Sequence, residues 1–165
     1  MVTIVTRLLI ADENEVVRTG LRAILEAQPD WVVVAEAAHG KDAILKVIET
    51  KPHVAVINSS LPLVSSIEVT RQIRSRCRRT EVLAFTIDDN PTQIDALIKA
   101  GARGFVTMSM LQHCLVEAVQ SLTMHKPFLT ARVTEELLAS FLAKSRAGSS
   151  LSNRERTQID RPRAS

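Results

Sequence analysis

With 165 residues, the chain can form one domain with a sizeable core plus a short appendage. Its hydrophobic fraction of 45% and charged fraction of 24% are those of a soluble globular protein. Four Phe, one Trp and no Tyr argue against an aromatic platform for single-stranded nucleic acid. The net charge of +3 comes from the C-terminal stretch: Lys144 to Ser165 holds six basic and two acidic residues, so the body is nearly neutral and gives no charge argument for nucleic-acid binding.

No apolar run approaches the roughly 20 residues needed to span a bilayer. Met1–Arg7 lacks the charged start and small-residue cleavage site of a signal peptide, so a cytoplasmic protein without membrane attachment is expected. Cys77 and Cys114 are far apart, outside any CxxC or Cys/His cluster, and read as two reduced thiols.

Strand and helix patterns alternate along the body. Arg7–Ala11 is a short apolar run ending in Asp12 and Glu13. Val17, Leu21, Ile24 and Leu25 then recur at helical spacing up to Pro29. Trp31–Ala35 is β-branched, and Lys41–Thr50 puts Ala43, Ile44, Val47 and Ile48 on one helical face. Pro52 turns the chain into a third strand, 53–58, which ends on Asn58.

Ser65–Arg76 reads as a helix with Ile67 and Ile73 inward and Arg71, Arg74 and Arg76 in water. Glu81–Thr86 is a fourth strand. Asn90 caps and Pro91 opens a helix that Gly101 closes. Gly104–Thr107 is a short fifth strand, and Leu111–His125 a fifth helix.

Five strand–helix units in strict alternation predict an α/β fold, a doubly wound parallel sheet with helices on both faces. Such sheets place ligands at the carboxyl ends of their strands, where strand order reverses. That selects Asp12 and Glu13, Asn58, Thr86, and Thr107 with Met108. No phosphate-binding glycine loop follows the first strand, which argues against a dinucleotide site. The histidines, His39, His53, His113 and His125, read as scattered over the surface, and no Ser/His/Asp grouping supports an enzyme.

The segments RLLIADENEVVRTGLRAILEAQPDWVVVAEAAHGKDA, KPHVAVINSSLP, VLAFT and AGARGFVT together resemble the receiver domain of two-component response regulators, most nearly the NarL/FixJ class with a LuxR-type output module. The resemblance covers about residues 5 to 125 in order. It implies a flavodoxin-like (βα)5 sheet with strand order 2-1-3-4-5, and no enzymatic activity.

Residue by residue, the resemblance maps the family's Mg²⁺-holding acidic pair onto Asp12 and Glu13; the alternative is an acidic turn capping the next helix. It maps the phosphoacceptor aspartate onto Asn58, which could also be a turn-forming Asn. The hydroxyl switch falls on Thr86, equally readable as a strand-end residue bonded to backbone. The aromatic switch falls on Phe105, which core packing explains as well. The family's lysine falls on Met108, and Ser66 stands where a glycine is usual. A carboxamide is a poor nucleophile and a thioether carries no charge, so the resemblance implies a receiver not phosphorylated by the usual Asp mechanism, needing no cofactor, with Mg²⁺ as the ion the acidic pair could take.

The implied organisation is a receiver domain over 1–128, a linker helix over 129–147, and the start of a LuxR-type helix-turn-helix or a disordered basic tail over 148–165, truncated before any recognition helix. The expected partners are proteins: a sensor histidine kinase, another response regulator or a second copy of the chain. Specific DNA binding is not expected. The competing reading is a DNA-binding transcriptional regulator whose output module is cut short.

Overall fold

The computed structural model describes residues 4–87, 90–130, 133–135, 138–139 and 141–146. Five strands form one parallel sheet in the order β2-β1-β3-β4-β5, the expected flavodoxin-like winding. They are β1 (Thr6–Ala11), β2 (Trp31–Ala37), β3 (Val54–Asn58), β4 (Glu81–Thr86) and β5 (Gly104–Thr107). The intervening helices are α1 (Glu15–Glu26), α2 (Gly40–Thr50), α3 (Ser66–Arg76), α4 (Pro91–Ala100) and α5 (Met108–Thr123). Among the described residues no helix is long and apolar enough to cross a membrane.

The strand sequences are apolar throughout because alternate residues enter two different cores. Leu9, Ala11, Ala55, Ile57, Ala84 and Phe105 face the layer of α2, α3 and α4. Leu8, Ile10, Val54, Val56, Phe85 and Val106 face α1 and α5. Burial of each large side chain contributes about 1.5–3 kcal/mol, so polar substitution on either side of a strand would destabilise the fold.

Local chemistry sets the element ends. Asn14, Ser65 and Asn90 each accept a backbone N–H in the first turn of the helix they precede. Pro91 occupies the first turn of α4, and Gly101 ends that helix in the left-handed region at φ 115°. Several bounds differ from the sequence reading by one to three residues, two of them at the carboxyl end of the sheet. β2 runs on to Ala37, because Glu36 and Ala37 stay in register with Ile10 and Ala11 of β1, with the Glu36 carboxylate met by Arg18 and Arg22 of α1. α5 begins at Met108, directly after β5 with no intervening loop.

Residues 133–135, 138–139 and 141–146 are helical, within the predicted linker helix. Val133 is buried in the cluster that holds Ile94, Leu97 and Phe105. Lys144 forms an ion pair with Asp95 of α4 at 3.0 Å. The predicted tail over 148–165 lies outside the described residues.

Candidate functional site

The carboxyl ends of β1 and β3 meet beside the start of α5. Asp12 follows β1, and its N–H donates to Ala37 O at 3.0 Å, which holds the residue against β2. Its carboxylate is 2% exposed and takes two hydrogen bonds: Asn14 N–H donates to Oδ1 at 2.7 Å and Asn58 Nδ2 donates to Oδ2 at 2.7 Å. Arg18 Nη1 donates to the carbonyls of Asp12 and Glu13, at 2.6 and 3.2 Å, and so pins α1 to this turn.

Asn58 is engaged at both ends of its amide. While Nδ2 donates to Asp12, Oδ1 accepts the N–H of Ser60 at 2.8 Å. The second bond is an Asx-turn, so both readings of Asn58, turn former and pocket residue, meet in one side chain. A carboxylate in this place could accept from Ser60 but could not donate to Asp12.

Asp12, Glu13, Asn58 and Met108 line one open cleft of about 530 Å³, together with Asn14, Val17, Ser60 and Ile87. None of these eight is cationic, and two carry carboxylates. Three of the sequence-selected residues, Thr86, Thr107 and Phe105, stand outside the cleft lining. Thr86 is 2% exposed at the end of β4, paired in register with Thr107 of β5. Phe105 is 1% exposed and turned into the core beneath α4.

A divalent ion favours several oxygen ligands with free lone pairs. Asp12 Oδ2 faces an amide N–H, and Asn58 Oδ1 is turned to the backbone of Ser60. Among the described residues, Glu13 is the cleft carboxylate with no hydrogen bond to its side chain, and no three His, Cys, Asp or Glu side chains gather as a metal site. As arranged, these residues do not fit Mg²⁺: an ion there must first displace the Asn58 amide.

Two residues that sequence reasoning did not assign a role hold the loop after β3. Ser66, noted only as standing where a glycine is usual, is buried and donates its hydroxyl to Ser59 O at 2.7 Å. Gln93 of α4 donates to the same carbonyl at 3.1 Å. One carbonyl thus ties α3 and α4 to the loop that carries Asn58. Contacts of this kind follow no periodic pattern, so the departure from glycine at Ser66 was the one signal available.

The histidines are less scattered than expected. His39 accepts Asp42 N–H and caps α2, His53 Nδ1 accepts the Arg7 N–H at 2.9 Å, and His125 Nδ1 lies 2.9 Å from the buried Glu81. Burial and the positive charge of Arg7 hold the His53 imidazole below its ordinary value.

A family model described as the response regulator receiver domain matches residues 8–120. The oxygen regulatory protein NreC of Staphylococcus epidermidis is 31% identical over 140 residues, covering 84% of this chain and 64% of that protein. The transcriptional regulatory protein DegU of Brevibacillus brevis is 27% identical over 135 residues, covering 82% of this chain and 57% of that one. The chain therefore spans less than two thirds of these curated relatives. Among solved structures, a LuxR-family two-component response regulator from Aurantimonas sp. superposes with a TM-score of 0.78 at 29% identity, over 84% of this chain and 99% of that one. With its sheet order, the cleft at the strand ends and the match over 8–120, this chain belongs to the response regulator receiver domain family, in the NarL/FixJ class.

Proposed function

We propose that this chain is a receiver that signals through protein contacts and is not phosphorylated by the usual aspartate mechanism. The observation that carries the reading is the Asn58 amide, hydrogen bonded to Asp12 at the tip of the middle strand, where the family's acceptor is expected. Phosphoryl transfer to a receiver needs a carboxylate nucleophile and positive groups to balance charge on the transferring oxygens. Asn58 supplies no nucleophile, and Met108, at the family's lysine position, supplies no charge.

Both exchanges together leave the local charge unchanged. A pocket with three carboxylates and one ammonium sums to about −2, and so does one with Asp12, Glu13, an amide and a thioether. The amide also replaces a repulsion with a hydrogen bond. The cleft can therefore hold one arrangement without a metal, and the switch is frozen while the fold persists. In that role Thr86 and Phe105 are held in place rather than moved by a phosphoryl group, and Asp12 and Glu13 hold no Mg²⁺ while the Asn58 amide keeps its bond to Asp12.

The partners on this reading are a sensor histidine kinase, another response regulator or a second copy of the chain. Descent from a transcription regulator is supported by the name of the DegU relative. A DNA-binding role for this chain would appear as a gel shift that weakens steeply with salt.

The test is incubation with acetyl phosphate and Mg²⁺, followed by intact mass measurement. The expected result is no stable phosphoryl adduct, with the Asn58→Asp, Met108→Lys double variant as the form able to gain one. A phosphoryl group on the parent chain, within the peptide that holds Asn58 and Ser59, would overturn the proposal.

A further inference from the structure

The opposite end of the sheet, where the strands begin, holds a separate pocket of about 460 Å³. Arg76, Arg78 and Arg79 reach it from the end of α3 and the loop before β4, and Lys51 and His53 from the loop before β3. Arg7 at the start of β1 completes the ring, its guanidinium tied to the carbonyls of Thr50 and Lys51. Half-buried Cys77 gives the pocket a small apolar part, and no Asp or Glu lines it.

Among the described residues, Lys51, Arg76, Arg78 and Arg79 have no carboxylate within ion-pair distance. The nearby Glu81 is buried and taken up by His125, Arg74 and Arg103. Clustered like charges repel one another, and a concave wall of one sign concentrates the opposite ion. This cluster is more notable because the chain outside its C-terminal stretch is nearly neutral. The cavity volume falls in the range of small-molecule sites rather than of a flat surface for a macromolecule.

We propose that this pocket binds a small molecule bearing two or three linked phosphates. The guanidinium groups of Arg76, Arg78 and Arg79 offer paired N–H donors that match phosphate oxygens, and Lys51 adds a point charge. The site is remote from Asn58 and holds whether or not the chain is phosphorylated there.

Titration calorimetry on the full chain, at low and at moderate salt, would use tripolyphosphate, ATP, adenosine and a short DNA duplex. Both phosphate compounds are expected to bind, more weakly in salt, and adenosine not to bind. ATP binding more tightly than tripolyphosphate assigns a nucleotide; equal binding assigns the phosphate chain alone. The Arg78→Ala, Arg79→Ala double variant, altered at two exposed side chains, is expected to lose about tenfold or more in affinity. Arg71→Ala, whose guanidinium pairs with Glu68 elsewhere on α3, should leave affinity unchanged. Tripolyphosphate should also shift the His53 imidazole resonances. Failure of both phosphates to bind, undiminished binding by the double variant, or tighter binding of duplex DNA that the double variant abolishes would each overturn the proposal.

Discussion

Replacing Asn58 with aspartate would put a second carboxylate against the buried oxygen of Asp12, which now takes an amide N–H at 2.7 Å. The change removes a hydrogen bond to a charged group, worth about 1.5–3 kcal/mol. It also adds a like-charge contact, about 4 kcal/mol at 4 Å with an effective dielectric near 20. Asn58 is only half-buried, so water and a small rotation would relieve part of this. The expected net loss is about 2–4 kcal/mol at neutral pH without divalent ions, read from urea unfolding of parent and variant. Repulsion raises the folded-state pKa of one carboxyl in the variant. The destabilisation is therefore full above that raised value and fades as pH falls towards the ordinary Asp value of about 3.9, where a shared proton restores a donor. Millimolar Mg²⁺ should stabilise the variant and leave the parent nearly unchanged. A variant within about 0.5 kcal/mol of the parent at neutral pH, metal-free, would refute the Asn58–Asp12 bond as the feature that holds the cleft.

Three further outcomes follow from the packing. Glu81→Ala should cost about 2 kcal/mol in urea unfolding, since it leaves Arg74, Arg103 and His125 without their shared buried carboxylate; these partners are partly wet, so the cost falls below that of a fully buried network. Gly40→Ala would set a Cβ 2.6 Å from Val64 O and 2.7 Å from Val69 Cγ2, so a loss of about 1–3 kcal/mol is expected where helix propensity alone would give a gain. The lowered His53 value means that its contribution is present above its unfolded value of 6.5 and is lost as pH falls through the folded value; His53→Asn should flatten that part of the stability–pH curve.

The elements were legible in the sequence where one-residue signals coincide with periodicity. Asn90, Pro91 and Gly101 bound α4 as their chemistry demands, and the apolar runs mark the strands because both faces of the sheet are covered. Polar residues misled wherever tertiary contacts decide their environment. Glu36 cut the reading of β2 short because its partners, Arg18 and Arg22, lie on another element. Arg74 read as a wet residue yet is half-buried and donates to the carbonyls of Arg78 and Thr80. In the cleft, strand ends could be named from order alone, which brought Asp12, Glu13, Asn58 and Met108 together. The direction of the Asn58 amide and the grip of Ser66 and Gln93 on one carbonyl depend on angles between elements that no local pattern records.

Val133 acts as a peg. Buried in the core cluster that also holds Ile94, Leu97 and Phe105, it could be pulled out only by leaving a valine-sized hole, at about 1–3 kcal/mol. Farther on, Lys144 ties the same stretch to Asp95 at the surface. The segment after α5 thus takes its bearing from α4, and a partner that tilts α4 would swing that segment like a rudder.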